Sequence, residues 1–197
     1  MRILRVKNKS YDNCLLFIND LSTLKPSGLD SDYRFKLLTI DRIEELHGFP
    51  LGADVYRKRL EAGHTCMIAE KDGKALGFHW ACFDRATHMF GTDTEWTTFK
   101  LPKDTAYLYD FLVLPDNRGR FIGPQLAKKM AENMAARGYK YTLTTIFFEN
   151  RTSIKIALRS GAVPLGFEHL YQIGPLRLWF LGTAKEKEML TKWCADL

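Results

Sequence analysis

Tyr107 to Leu114 is apolar at nearly every position and on both alternating faces, so it reads as a central strand covered from two sides. Asp110 is the exception inside it. After Pro115, apolar residues at 122, 126, 127, 130, 131, 134 and 135 recur at helical spacing, with Lys128, Lys129, Glu132 and Arg137 opposite and Gly138 as the C-terminal stop. Strand, tight turn and amphipathic helix in that order predict an α/β fold.

The text on either side extends that pattern. Thr65–Glu70 and Ala75–Phe83 flank an Asp72-Gly73 turn and read as an antiparallel hairpin. Two short helices precede it, Asp41–Leu46 closed by Gly48 and Pro50, and Asp54–Ala62 closed by Gly63. Downstream, Tyr141–Phe147 is a β-rich run and Asn150 caps a helix that continues to Ser160 and ends at Gly161. A strand pair over Phe167–Leu181 and a terminal helix over Lys185–Trp193 complete a β-α-β-α-β second half. Near the N-terminus, Met1–Val6 is strand-like, Cys14–Ile18 is an apolar run and Lys25–Gly28 is a loop, but residues 1–38 take no firm assignment.

The chain has 197 residues, 46% of them hydrophobic and 26% charged, which fits one domain over 1–197 with no need of disulfides or a structural metal. Its net charge of +6 favours anionic partners such as phosphorylated small molecules or a nucleotide cofactor. The basic residues are dispersed, and the densest group, Arg57-Lys58-Arg59, reads as a solvated helix face, which argues against a nucleic-acid tract. Cysteines 14, 66, 82 and 194 lack metal-ligand spacing and read as buried thiols. No apolar run approaches the roughly 20 residues of a membrane span, and early charges interrupt any signal peptide, so the expected location is cytoplasmic.

The turn between strand and helix carries the chemistry. Pro115-Asp116-Asn117-Arg118-Gly119-Arg120-Phe121-Ile122-Gly123 sets glycines and arginines at a helix N-terminus, where free N–H groups, the helix dipole and fixed positive charge suit a pyrophosphate. It is neither a Walker loop nor a dinucleotide-binding Gly-x-Gly-x-x-Gly. Solvated arginines on an ordinary strand-to-helix turn would give the same text.

Val113-Leu114-Pro115 followed by Arg118-Gly119-Arg120-Phe121-Ile122-Gly123 resembles the Arg/Gln-x-x-Gly-x-Gly/Ala motif of the GNAT superfamily of N-acetyltransferases. A second match follows, where a strand ends in Glu149-Asn150 and a helix carries Ser153 and then Gly161. The resemblance covers about 65–167, leaving 168–197 as C-terminal strands and helix. It implies a mixed sheet with an antiparallel N-terminal arm, splayed central parallel strands and flanking helices. It also implies acetyl-CoA, or another acyl-CoA, as co-substrate and no metal. On this resemblance the pantetheine amides pair with backbone near Leu112 and Val113, the pyrophosphate meets the amides from Arg118 to Gly123, and Asn150 and Ser153 meet the pantetheine arm. Phe121 departs from the motif, standing where its first Gly is usual and narrowing the approach of a pyrophosphate unless its ring turns toward the apolar helix face.

The implied reaction is direct attack of a small-molecule amine on a thioester, which needs a neutral nucleophile and a departing thiolate. Asp110 is the candidate base, its apolar neighbours favouring the proton-accepting role, with a carboxylate that caps a strand bulge or accepts local backbone N–H bonds as the alternative. Many members carry a Tyr as general acid two turns beyond the Asn, and here that position is Ala157. A catalytically silent acyl-CoA-binding or regulatory module is therefore the alternative function, and a basic nucleic-acid-binding domain a weaker third. For the acceptor, His79 or Trp80 is expected to face a cleft, with a satisfied structural histidine as the alternative, and His88–Lys103 with Trp96 reads as a lid or recognition loop, with a decorated hairpin excursion or a dimer contact as the alternative. The acceptor's identity, the acyl chain length and a homodimer are left open.

Overall fold

Asp72 and Gly73 both take positive φ, 52° and 76°, the backbone that a two-residue hairpin turn demands. They join β3 (Thr65–Lys71) to β4 (Lys74–Cys82), which pair antiparallel as the sequence leads one to expect. The computed structural model describes residues 9–24, 32–90, 94–173 and 176–195. It falls into two compact units, one over Asn19–Leu143 and one joining the described residues up to Ile18 with those from Thr144 onward.

In the larger unit β3 lies between β4 and β2 (Arg34–Leu37), and β4 lies between β3 and β7 (Thr105–Val113), every pairing antiparallel. Alternation along these strands sends two sets of side chains to opposite faces. Met67, Ala69, Ala81 and Leu108 pack with Ile122, Leu126, Met130 and Met134 of α2 (Ile122–Ala136). On the other face the Phe78 ring meets Phe49 at 4.9 Å and, at 5.8 Å, Tyr56 of α1 (Ala53–Glu61). The central strand is thus covered on both sides, as its sequence requires. Gly63 and Gly138, with φ of 81° and 89°, end α1 and α2 where their sequences stop.

Three assignments gain detail. Ile40–Leu46 is a 3-10 helix, the form that short pieces adopt, where a short helix was expected over Asp41–Leu46. In the His88–Lys103 segment the hairpin alternative holds among the described residues: β5 (Arg85–Phe90) pairs antiparallel with β6 (Thr94–Lys100), placing His88 opposite Trp96. The unassigned N-terminal region supplies β2 and also β1 (Lys9–Asp20), whereas Met1–Val6 and Lys25–Gly28 lie outside the described residues.

In the smaller unit β1 pairs antiparallel with β9 (Val163–Ile173), and β9 with β10 (Leu176–Leu181). Leu15, Phe17 and Ile146 of β8 (Tyr141–Phe147) form a core with Ile154 and Ala157 of α3 (Arg151–Arg159) and Leu190 of α4 (Ala184–Ala195). Strand and helix alternate from β7 to β9 as expected, and the fold is mixed α/β. All four cysteines are buried. Among the described residues no helix is long and apolar enough to cross a membrane.

Candidate functional site

The loop after β7 leaves a run of amides exposed to the outside of the fold. Pro115–Asn117 forms a 3-10 turn, Gly119 takes φ 77° and Phe121 takes φ 60° as the residue that starts α2. Asn117 donates to the Leu114 carbonyl and Arg118 to that of Pro115, and the ladder resumes where Gln125 donates to Phe121. Among the described residues the amides from Gly119 to Gly123 take no backbone carbonyl partner, so they are the orphan donors of a helix start. Arg118 and Arg120 are exposed beside them, and Arg118 Nε folds back to donate to the Val113 carbonyl at 3.0 Å. Orphan amides, a helix dipole and two exposed arginines at one helix start are the features that suit an anion.

Phe121 does not turn onto the helix. Its side chain is 72% exposed, because a left-handed backbone at the helix start aims the Cβ away from the apolar stripe that begins at Ile122. The loop is held at its root by close backbone approach. Leu114 donates to the Leu76 carbonyl at 2.9 Å, and a Cβ on Gly77 would stand 2.7 Å from the Leu112 oxygen.

A β-bulge shapes the strand just before this loop. Phe78 pairs with Leu112 and Trp80 with Tyr109, so His79 alone faces both Asp110 and Phe111. Asp110 accommodates the extra residue at φ 45°. Before the bulge Ala106 and Leu108 face α2; after it Phe111 and Val113 do, because one inserted residue reverses the alternation. Asp110 is thereby turned to the α1 face.

There it meets a residue that the sequence reading placed in solvent. Arg59, expected on a solvated helix face, is 1% exposed, because it lies one turn beyond Tyr56 on the side of α1 that faces Trp80. Its Nη1 donates to Asp110 Oδ2 at 2.6 Å, and its guanidinium carbon lies 5.0 Å from the Trp80 ring, 5.1 Å from Tyr109 and 5.8 Å from Tyr56. Asp110 therefore sits against a buried cation and not among apolar neighbours alone. Burial pushes the Tyr56 hydroxyl up to about 12 and the Cys66 thiol well above its usual range, so both are neutral near pH 7. His64 Nδ1 lies 2.6 Å from the Tyr109 hydroxyl at the edge of the same cluster.

His79 and Trp80 are both buried, on opposite faces, so neither opens onto solvent. Burial lowers the His79 imidazole to about 3 and keeps it neutral, against the Phe111 ring at 4.8 Å. Trp80 stacks on Tyr56 at 5.8 Å. Trp96 sits on β6, and its side chain lies outside the described residues. In the smaller unit, Asn150 Oδ1 accepts from the Ser153 amide at 3.1 Å, so its carbonyl caps α3 as the sequence predicts. Ala157 is buried in the apolar cluster of that helix.

Sequence reasoning missed Arg59, and it offers the strand bulge at Asp110 only as the alternative to a catalytic base. The signal for Arg59 is its spacing from Tyr56 on one helical face; for the bulge it is a carboxylate in a strand otherwise apolar on both faces.

Comparison with known proteins places this geometry. A structure of a Drosophila protein aligns with TM-score 0.62 at 15% identity, over 86% of this chain and 53% of that one. A GCN5-related N-acetyltransferase from Sphaerobacter thermophilus aligns with TM-score 0.56 at 13% identity, over 89% and 54%. The ribosomal-protein-S18-alanine N-acetyltransferase of Escherichia coli aligns with TM-score 0.50 at 15% identity, over 66% and 76%. The chain thus spans about half the length of the first two of these proteins. No curated protein matches it. The model of the acetyltransferase (GNAT) family matches residues 32–162, more than half of the sequence and the whole of the bulged strand, loop and helix described above, and the chain belongs to that family.

Proposed function

We propose that this chain transfers an acyl group, most simply acetyl from acetyl-CoA, to the amine of a small molecule by direct attack. The observation that carries the reading is the run of orphan amides from Gly119 to Gly123 beside Arg118 and Arg120, at the end of a strand that carries Asp110. These donors fit a pyrophosphate, and the backbone of Leu112 and Val113 leads to the reacting end. Bound acyl-CoA supplies a thioester carbonyl whose carbon–sulfur bond breaks as the amine nitrogen bonds to it. Asp110 accepts the proton that the attacking ammonium must shed, and its carboxylate is oriented by Arg59. Ala157 has no proton to give, so water carries to the departing thiolate the second proton that the nitrogen loses on forming the amide; a thiol with an unperturbed value near 8.5 leaves without further help. His79 and Trp80 shape the acceptor side from within the core, and Trp96 of the β5–β6 hairpin is the acceptor contact. The reading includes a cytoplasmic location.

Ala157, an apolar core residue where many members have a tyrosine, favours a second reading: an acyl-CoA-binding module without turnover. One experiment separates the two. The purified protein is incubated with acetyl-CoA and longer acyl-CoAs against a panel of primary amines while thiol release and product mass are followed. CoA is expected to raise the melting temperature by mass action, and Arg120→Ala to diminish that rise. A rise without thiol release identifies the binding module. No rise at millimolar CoA, in a folded protein, overturns both.

A further inference from the structure

We propose that Arg59 is a positioning residue of the acyl-transfer site, reaching from α1 to fix the Asp110 carboxylate at the bulge of β7; this rests on the acyltransferase reading above. The pair is asymmetric. Arg59 is 1% exposed and enclosed by Trp80, Tyr109 and Tyr56, whereas the Asp110 side chain keeps 19% of its surface. The carboxylate is thus gripped from inside and presented outward.

Stability alone does not account for the arrangement. A guanidinium stays charged in any protein environment, and apolar residues of similar volume often replace a buried ion pair without loss. Asp110 also holds a positive φ of 45°, a conformation that persists where the surroundings over-determine it. Charge and strain together point to a function in which the direction of the carboxylate matters. Titratable groups that face the pair among the described residues include Tyr56 on α1, Cys66 on β3 and Tyr109 on β7, the last bonded to His64. Tyr56 and Cys66 are neutral near pH 7, so neither competes with Asp110 for the guanidinium.

The test compares Arg59→Met, neutral and of similar length, with Arg59→Lys, which keeps the charge. Each is assayed with acetyl-CoA and the panel amine that the parent uses fastest, across pH 5 to 10. For Arg59→Met we expect an unchanged KM for acetyl-CoA, a kcat at least about 10-fold lower, and an acid limb of the pH–rate profile moved up by about one pH unit or more. Arg59→Lys should return the limb toward its parental position. A limb that stays in place in Arg59→Met, or a lysine no better than methionine, overturns the proposal. Should Arg59→Met not fold, the nitrogen resonance of the Arg59 side chain decides: it should titrate with a carboxyl group in the parent and lose that titration in Asp110→Asn. The same titration in both proteins overturns the proposal. Absence of thiol release by the parent with every amine overturns the acyltransferase reading itself, a result distinct from turnover with an unmoved limb.

Discussion

Asp110 meets Arg59 at 2.6 Å because His79 alone stands opposite both Asp110 and Phe111, and the extra residue turns the carboxylate from the α2 face to the α1 face. The pair is therefore a product of strand register as much as of charge. Asp110→Asn, Asp110→Gly and Asp110→Ala all remove the charge and should each cost about 3 kcal/mol for leaving a buried guanidinium without its anion. They differ in backbone preference at φ 45°. Asn and Gly tolerate the left-handed region and Ala does not, so Ala should be the least stable, by about 1 kcal/mol relative to Gly. Urea denaturation measures the order, and an Ala variant as stable as Gly would show that the bulge is not kept.

His79 ties stability to pH. Its imidazole is near 3 in the folded chain and near 6.5 when unfolded, so below pH 6.5 the unfolded state binds a proton that the folded state refuses. The contribution is present in full above pH 6.5 and declines as pH falls toward 3, by at most about 5 kcal/mol. His79→Leu should flatten that part of the stability curve. The difference between parent and variant isolates the histidine from the carboxylates that titrate at the lower end, and parallel curves would refute its burial as a neutral ring.

Much of the fold is legible because its periodicities are strong. The hairpin at Asp72-Gly73, the stripe of α2 and the caps of α3 depend on residues close in sequence, and each falls where local chemistry sets it. The site is less legible. Asp110 and the loop from Arg118 to Gly123 stand out as chemistry in an unusual place, but Arg59 looks like one of three neighbouring cations until α1 is laid against β4. Its burial comes from aromatic rings on β4 and β7 as well as on its own helix, and no local pattern encodes that convergence. The β5–β6 hairpin is legible only as an alternative for a related reason: its strands mix polar and aromatic residues, so alternation does not separate it from a loop.

Phe121 combines two local penalties, an aromatic residue at φ 60° and a ring 72% exposed. Phe121→Gly relieves the backbone and gives up little buried area, so it should leave the fold as stable or up to about 1 kcal/mol more stable. CoA binding, measured by calorimetric titration, should be kept or tightened, since the motif's usual residue is restored and the amides stay in place. Weaker CoA binding by a stable variant would instead assign the ring a direct contact with the cofactor.

Gly77 tests the root of the loop. An added Cβ would lie 2.7 Å from the Leu112 oxygen and 3.2 Å from the Val113 Cα, contacts made with backbone that has no side-chain rotation to relieve them. Gly77→Ala must therefore push β4 and β7 apart at the end where Leu114 bonds Leu76 and the loop begins. Overpacking of this kind costs about 1–3 kcal/mol, and the shift should also weaken CoA binding by moving the strand end that leads into the amide run. Gly119→Ala makes the control: its Cβ meets nothing within 4 Å, and its strain comes from a φ of 77° alone. That variant should lose about 1 kcal/mol, and Gly77→Ala should be the more destabilised in thermal melts. Equal losses would mean that the two strands can part at Leu112 without penalty, and that the loop is not anchored there.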